Sequence, residues 1–530
     1  MFWGDRIVSE IKNKYAKEIA SGKKLVVRDE KTASGRVHVG SMRGVAIHGI
    51  VDEILKEQNV NHEFLYEIND SAPMDGLPVY LDEKVYLEHM GKPLYDVPSP
   101  DGKAKNFAEY FAEEFMGVIE ATGFNPTYYR SGDYYKEGKF NEAIRLSLEK
   151  ADLIRKIYKD ISGSVKNDDW LPISIVCEQC GKMGTTRARN FDGQTVEYTC
   201  GNFVKWASGC GKNGRVSPFD GRGILPWKVE WAAKFLVLKV DIEGGGKDHS
   251  TKGGAREIAD AIARQVFDIE PPLNIPYEFF QVGGKKMSSS KGAGSSSKEI
   301  ADLLPAELFR FLLIQKEPNK VLEFDPNGDT VPVLFDNFDS YAKKYFADKE
   351  NKAGDDFIRA WILAHKEEDR GNITVRHLPR FSTVAFVSQM PHLDPAKEIE
   401  KLQEITLTDD DKKELAYRIE YVKRWISGFA PDEYKFEIQK EVPESAKNFN
   451  EIQKKALVEL VNYIEANQQI DGQAFHTKLH EIKESLQIDP KEFFSAIYLS
   501  ILNKTSGPKA GWFLSVLDRD FLIKRFKEVI

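Results

Sequence analysis

The sequence predicts an α/β fold interrupted by an insertion and followed by an all-α domain, on three observations. Residues 25–66 read as strand, helix and strand, with a polar, glycine-bearing turn after the first strand. All four cysteines fall within residues 177–210. Beyond about residue 345, strand signals fade and long helical patterns take over. At 530 residues the chain is too long for one core, so two or three domains are expected.

Ile7, Val8, Ile11, Tyr15 and Ile19 recur at helical spacing and predict an amphipathic helix over 5–20. Leu25-Val26-Val27 then reads as a short buried strand, 41–57 as a helix, and Phe64-Leu65-Tyr66 as the next strand. A glycine turn between such a strand and helix is the usual place for a phosphate. From 67 to 220 the order is irregular. Stretches rich in Pro, Asp and Gly precede helical patterns near 105–122 and 138–160, and then the cysteines, as expected of an insertion. The α/β pattern resumes with the apolar run Phe235-Leu236-Val237-Leu238, a helix across 252–266 and an extended segment 277–282. Ser297 or a neighbour is a plausible cap for a helix starting near Glu299. Helical patterns at 411–426, 451–467 and 474–486 make the rest an all-α domain.

Composition excludes little but sets the class. With 41% hydrophobic and 30% charged residues, this is an ordinary globular chain. No apolar stretch approaches the roughly 20 residues of a membrane helix, so no membrane partner is expected. Met1-Phe2-Trp3-Gly4-Asp5-Arg6 lacks the basic-then-apolar pattern of a secretory signal, which makes the cytoplasm the expected compartment. A net charge of −8 argues weakly against nucleic acid, although phosphates respond to local basic patches rather than to the total.

The cysteines are spaced Cys177-x2-Cys180, then Cys200, then Cys210. A disulfide framework would be spread along the chain, whereas this clustering and the C-x2-C knuckle suit a metal in a reducing compartment. No histidine lies between His89 and His249, so a four-thiolate site is the local option. Such a site is closed, which points to structural Zn²⁺; unligated thiols are the alternative.

Two segments carry the chemistry. In Ala33-Ser34-Gly35-Arg36-Val37-His38-Val39-Gly40-Ser41, Gly35 and Gly40 allow the backbone close to a phosphate, and His38 can donate to one as charge builds. The helix beginning near Ser41 favours an anion. A capped helix with a surface histidine would show the same residues. In Lys285-Lys286-Met287-Ser288-Ser289-Ser290-Lys291, Lys286 supplies a point charge, Ser288 and Ser290 supply donors, and Lys291 adds a second charge. A basic loop without a ligand is the plain reading.

In this order and separation, His38-Val39-Gly40-Ser41 and Lys286–Lys291 resemble the two ATP-handling signatures of class I aminoacyl-tRNA synthetases. Ser41 stands where most carry a second histidine, and Ser289 where most carry a second lysine. Ser41 fits the lysine-specific branch, whose tetrad tends to end in a small polar residue. Three further segments resemble that branch: Leu225-Pro226-Trp227-Lys228-Val229-Glu230-Trp231, Gly244-Gly245-Gly246-Lys247-Asp248-His249-Ser250 and Ile275-Pro276-Tyr277-Glu278. Further matches at 304–320 and in the C-terminal segments extend the resemblance over nearly the whole chain.

The resemblance implies a Rossmann-like class I synthetase catalytic domain with a zinc-binding insertion, followed by an all-α anticodon-binding domain. Residues 1–66 form the first half of the catalytic domain and 67–220 the insertion, with its zinc module at 177–210. Residues 221–300 form the second half, 301–345 a connecting region that contacts the tRNA stem, and 346–530 the anticodon-binding helices. It implies ATP contacts from Thr32, Ser34, Gly35, His38, Gly40, Ser41, Gly246, Asp248, Lys286, Met287, Ser288 and Ser290, with His38, Lys286 and Lys291 catalytic. Glu30, Thr32, Trp227, His249 and Tyr277 match the lysine pocket. Asp29, Glu30 and Glu230 remain alternatives for the carboxylate that meets the substrate ammonium, and many relatives carry glycine at position 30. The implied activity is lysine activation with ATP and Mg²⁺, then transfer to tRNA(Lys) by a monomer. Class I synthetases for glutamate or arginine, a catalytically silent zinc-ribbon RNA-binding paralogue and a small-molecule nucleotidyltransferase are the rivals.

Overall fold

The computed structural model describes residues 1–284, 295–347, 356–390 and 392–530. These form two compact units, residues 1–325 with 337–375, and residues 326–336 with 376–530.

The first unit is built on five parallel strands: β1 (Leu25–Thr32), β2 (His62–Asn69), β3 (Thr127–Arg130), β4 (Ile242–Gly246) and β5 (Leu273–Tyr277). Their order across the sheet is β5-β4-β1-β2-β3. From β1 the chain moves one way to β2, and after the insertion it returns to place β4 on the other side. The gap beyond the carboxyl ends of β1 and β4 is therefore the topological switch point, where open α/β sheets bind ligands.

Three helices frame that point: α1 (Met42–Glu57), α2 (Trp227–Leu238) and α3 (Ala255–Gln265). Phe235–Leu238, read from sequence as opening the α/β pattern, is the last turn of α2. The strand itself is β4, which is glycine-rich and offers no β-branched run after Ile242. The extended stretch 277–282 divides between β5 and a separate short strand, Phe280–Val282, paired with Leu322–Phe324. The helical pattern at 138–160 is two helices, Asn141–Glu149 and Ala151–Ser162, broken at Lys150.

One ion cluster holds α1 to its neighbours. Arg310 is fully buried and donates from Nη2 to both oxygens of Glu53 (2.8 and 2.9 Å) and to Leu363 O (2.9 Å). Its Nη1 reaches Thr122 O at 2.9 Å, its Nε reaches Leu363 O at 3.3 Å, and Arg370 also pairs with Glu53.

The insertion carries a three-stranded antiparallel sheet, Thr186–Arg189, Val196–Cys200 and Asn213–Val216. In the second unit the described residues contain helices and no strand. Its long helices, Asp409–Gly428, Glu451–Ala466, Gly472–Ser485 and Pro490–Leu502, start on side-chain caps from Thr408, Asn450, Asp471 and Asp489. Trp425 is buried there, its indole bonded to Pro326 O at 3.0 Å. No described helix is long and apolar enough to cross a membrane.

Candidate active site

β1 follows Leu25-Val26-Val27 with four charged residues in a row, Arg28-Asp29-Glu30-Lys31. Strand alternation sends Arg28 and Glu30 to one face of the sheet and Asp29 and Lys31 to the other. The parallel register sets Arg28 beside Glu243 of β4, and Glu30 beside Glu67 of β2. α2 closes over that face with Glu230, Trp231 and Lys234.

Arg28 is completely buried and commits all three nitrogens. Nε donates to Tyr129 at 2.8 Å, Nη1 to Glu243 at 2.7 Å, and Nη2 to Glu30 and Glu67. Lys234 lies 2.9 Å from Glu30, 2.8 Å from Glu67 and 3.1 Å from Glu230. Burial opposes the charge of Glu30, but Lys234 and then Arg28 outweigh it and hold the carboxyl at about 2. Burial dominates at Glu230 and Glu243, and both are pushed up.

On the other face, the amide of Gly244 donates to Nε2 of His48 at 2.7 Å, so that nitrogen carries no proton. The proton sits on Nδ1, which donates to Gly44 O at 2.8 Å. One imidazole thus ties α1 to β4. Gly44 is required by crowding: a Cβ there would lie 2.8 Å from both Asp29 Oδ2 and the Tyr277 hydroxyl.

The carboxyl ends of β1, β4 and β5 open into a cavity of about 510 Å³ at the switch point. Of the residues singled out from sequence, Glu30, Thr32, Ser34, His38, Gly40 and Ser41 line it from the first turn. Trp227, Gly246, Asp248, His249 and Tyr277 line it from the opposite side. Gly35 is not part of the wall. Asp29 is, whereas Glu230 lies behind it, bonded to Tyr135 and Lys234. Trp231, read from sequence as part of the tryptophan segment, and Glu243, which the sequence did not single out, sit at its inner end, the Trp231 indole donating to Glu243 Oε1 at 2.7 Å. Trp227 stacks on Trp231 at 6.3 Å, and His249 meets both indoles edge-on.

His38 is held well below its usual range, at about 3, by burial and then by Lys31. The imidazole is therefore uncharged at neutral pH. Its segment is pinned by the residues just beyond the second signature: Val39 N–H reaches Ser295 O at 3.1 Å, and Ser297 N–H reaches Val37 O at 2.8 Å. Ser296 caps the following helix in a reciprocal box with Glu299. Lys286, Met287, Ser288, Ser290 and Lys291 lie outside the described residues.

The cysteine sulfurs lie within 4.8 Å of one another. Cys177 and Cys210 are 3.6 Å apart, Cys180 and Cys200 3.7 Å. Tetrahedral zinc with Zn–S near 2.3 Å requires sulfurs about 3.8 Å apart, so the donor set fits that ion. The Cys210 amide, 3.4 Å from Cys200 Sγ, suits a thiolate.

Doubly wound sheets bind nucleotides at this place, and here the far flank of the lysine–serine segment returns to the glycine turn at the same edge. That combination defines the class I aminoacyl-tRNA synthetase architecture. The family described as tRNA synthetases class I (K) matches residues 1–367, and an anticodon binding domain matches 413–530. A lysine–tRNA ligase of Methanosarcina barkeri (strain Fusaro) is 34% identical over 99% of this chain and 97% of its own length. Lysine–tRNA ligase 1 of Methanosarcina acetivorans is 33% identical over 100% and 98%, and a lysine–tRNA ligase of Archaeoglobus fulgidus 28% identical over 100% of both. The chain belongs to the class I lysyl-tRNA synthetase family.

Proposed function

We infer that this protein is a lysine–tRNA ligase. It activates L-lysine with ATP to lysyl-adenylate and pyrophosphate, then transfers the lysyl group to tRNA(Lys) with release of AMP. Relatives named for that reaction match over essentially their whole length. The observation that carries it furthest is the cavity itself, where the indoles of Trp227 and Trp231 lead to an acidic inner end at the switch point. Indole faces suit an aliphatic stem and an ammonium, and buried carboxylates suit the charge. A glutamate side chain would meet like charge.

In the first step the lysine carboxylate, already ionised, attacks the α-phosphorus as the bond to pyrophosphate breaks. No general base is needed, so the work is positioning and charge stabilisation. His38 donates a neutral hydrogen bond, and the start of α1 favours the anion. Lys286, Lys291, Ser288 and Ser290 are assigned to the departing pyrophosphate. Mg²⁺ accompanying ATP supplies further charge neutralisation. In the second step a hydroxyl of the terminal adenosine of tRNA takes the lysyl group and AMP leaves.

Cys177, Cys180, Cys200 and Cys210 would hold Zn²⁺ in a closed, structural site. Residues 413–530 are assigned to the anticodon and 301–345 to the tRNA stem. A monomer is the proposed working unit, and the cytoplasm the proposed compartment, since it keeps such thiols reduced. The test is ATP–pyrophosphate exchange with each of the twenty amino acids. Exchange with lysine is expected; exchange only with glutamate or arginine, or with none, rejects the reading.

A further inference from the structure

The acidic floor holds more carboxyl groups than cations: Glu30, Glu67, Glu230 and Glu243 share Arg28 and Lys234. Most of their oxygens are accounted for. Glu67 takes Arg28 and Tyr129 on one oxygen; its other oxygen is also buried without a hydrogen bond, but the Lys234 ammonium lies 2.8 Å from it. Glu230 divides its oxygens between Tyr135 and Lys234. Glu30 is 34% exposed, so water can reach whatever its cations leave. Glu243 differs. It is 2% exposed, Oε1 takes both Arg28 and Trp231, and Oε2 is buried without a hydrogen-bond partner. A carboxylate oxygen removed from water is unfavourable until a donor arrives, and this one belongs to a residue lining the cavity.

We propose that Glu243 Oε2 is the counter-ion for the ε-ammonium of the substrate, making Glu243 the residue that sets side-chain specificity. The proposal rests on the lysine-ligase reading above and names an acid outside the three that the sequence offered. The geometry fits a lysine-sized ligand: the stem runs along Trp227 and Trp231, and the indole that ends the wall also orients Glu243. A guanidinium would bring five donors to a single open oxygen, and a carboxylate would face four of its own kind.

The test compares L-lysine with 6-hydroxy-L-norleucine, which carries a hydroxyl in place of the ε-amino group, in ATP–pyrophosphate exchange. The ratio of the two kcat/KM values cancels the fraction of active enzyme. Sites built around a polar group of the substrate discriminate by about 10⁴-fold, so wild type should strongly prefer lysine. Glu243→Gln should cut that ratio by about 100-fold, mostly through KM for lysine and with KM for ATP little changed. Glu30→Gln is expected to weaken lysine use while keeping the preference. An unchanged ratio in Glu243→Gln, or a loss confined to Glu30→Gln, overturns the proposal while the ligase reading stands. Wild type inert with lysine overturns both. Glu243→Asp covers the case in which the amide does not fold: it should keep the preference and raise KM for lysine about tenfold. An unchanged KM there would count against Glu243.

Discussion

Two ion clusters in the first unit are alike in burial and differ in charge balance and completeness. Around Arg310, cations outnumber the acid, and every nitrogen of the Arg310 guanidinium has an acceptor in Glu53 or a backbone carbonyl. Around Arg28, acids outnumber cations and Glu243 keeps an oxygen without a donor. Burial is similar in the two, so burial alone does not distinguish a structural cluster from a functional one. The bookkeeping of donors does: a closed cluster holds helices together, and an open one at a cavity is short of a ligand group.

The comparison can be broken from either side, beginning with a third cluster, the four cysteines. If zinc fills them, its removal should have the largest effect, since structural zinc contributes on the order of 10 kcal/mol to folding its module. Chelation under reducing conditions should release one zinc per chain, read by a colorimetric indicator, and expose 174–224 to protease. Arg28→Met comes next. It strands Glu243 and weakens the hold on Glu30 and Glu67, for a loss of about 3–5 kcal/mol in urea unfolding, together with a raised KM for lysine. Arg310→Met should cost less, about 1–3 kcal/mol, because Arg370 still pairs with Glu53; KM for lysine should not move, and a shift there would mean that the clusters are coupled.

The smallest effect is the most diagnostic of sign. Glu30 is held at about 2, below the ordinary glutamate range. Its contribution is therefore present above pH ~4.3 and lost as pH falls toward 2. The urea midpoint of wild type should drop between pH 5 and pH 3 more steeply than that of Glu30→Gln. Parallel curves would mean that Glu30 is not engaged by Lys234 and Arg28.

What the sequence reveals follows the range of the interaction. The β1–α1–β2 unit, the glycine turn and the C-x2-C knuckle are local patterns, and Ser296 is the cap expected at Ser297 or a neighbour. Phe235–Leu238 misleads because four apolar residues suit a buried helix turn as well as a strand. The site's acids were partly hidden. Arg28 and Glu243 are 215 positions apart and meet only through strand register. A trace was nevertheless present: four consecutive charges continuing a Leu-Val-Val strand make little sense in a sheet interior unless partners wait on its neighbours.

The buried, unpartnered oxygen of Glu243 bears on stability as well as on recognition. If lysine supplies the missing donor, the amino acid is a last piece of the interior as well as a reactant, and its binding adds to conformational stability in proportion to its concentration. Starvation for lysine would then leave the enzyme easier to unfold at the moment when it has nothing to charge.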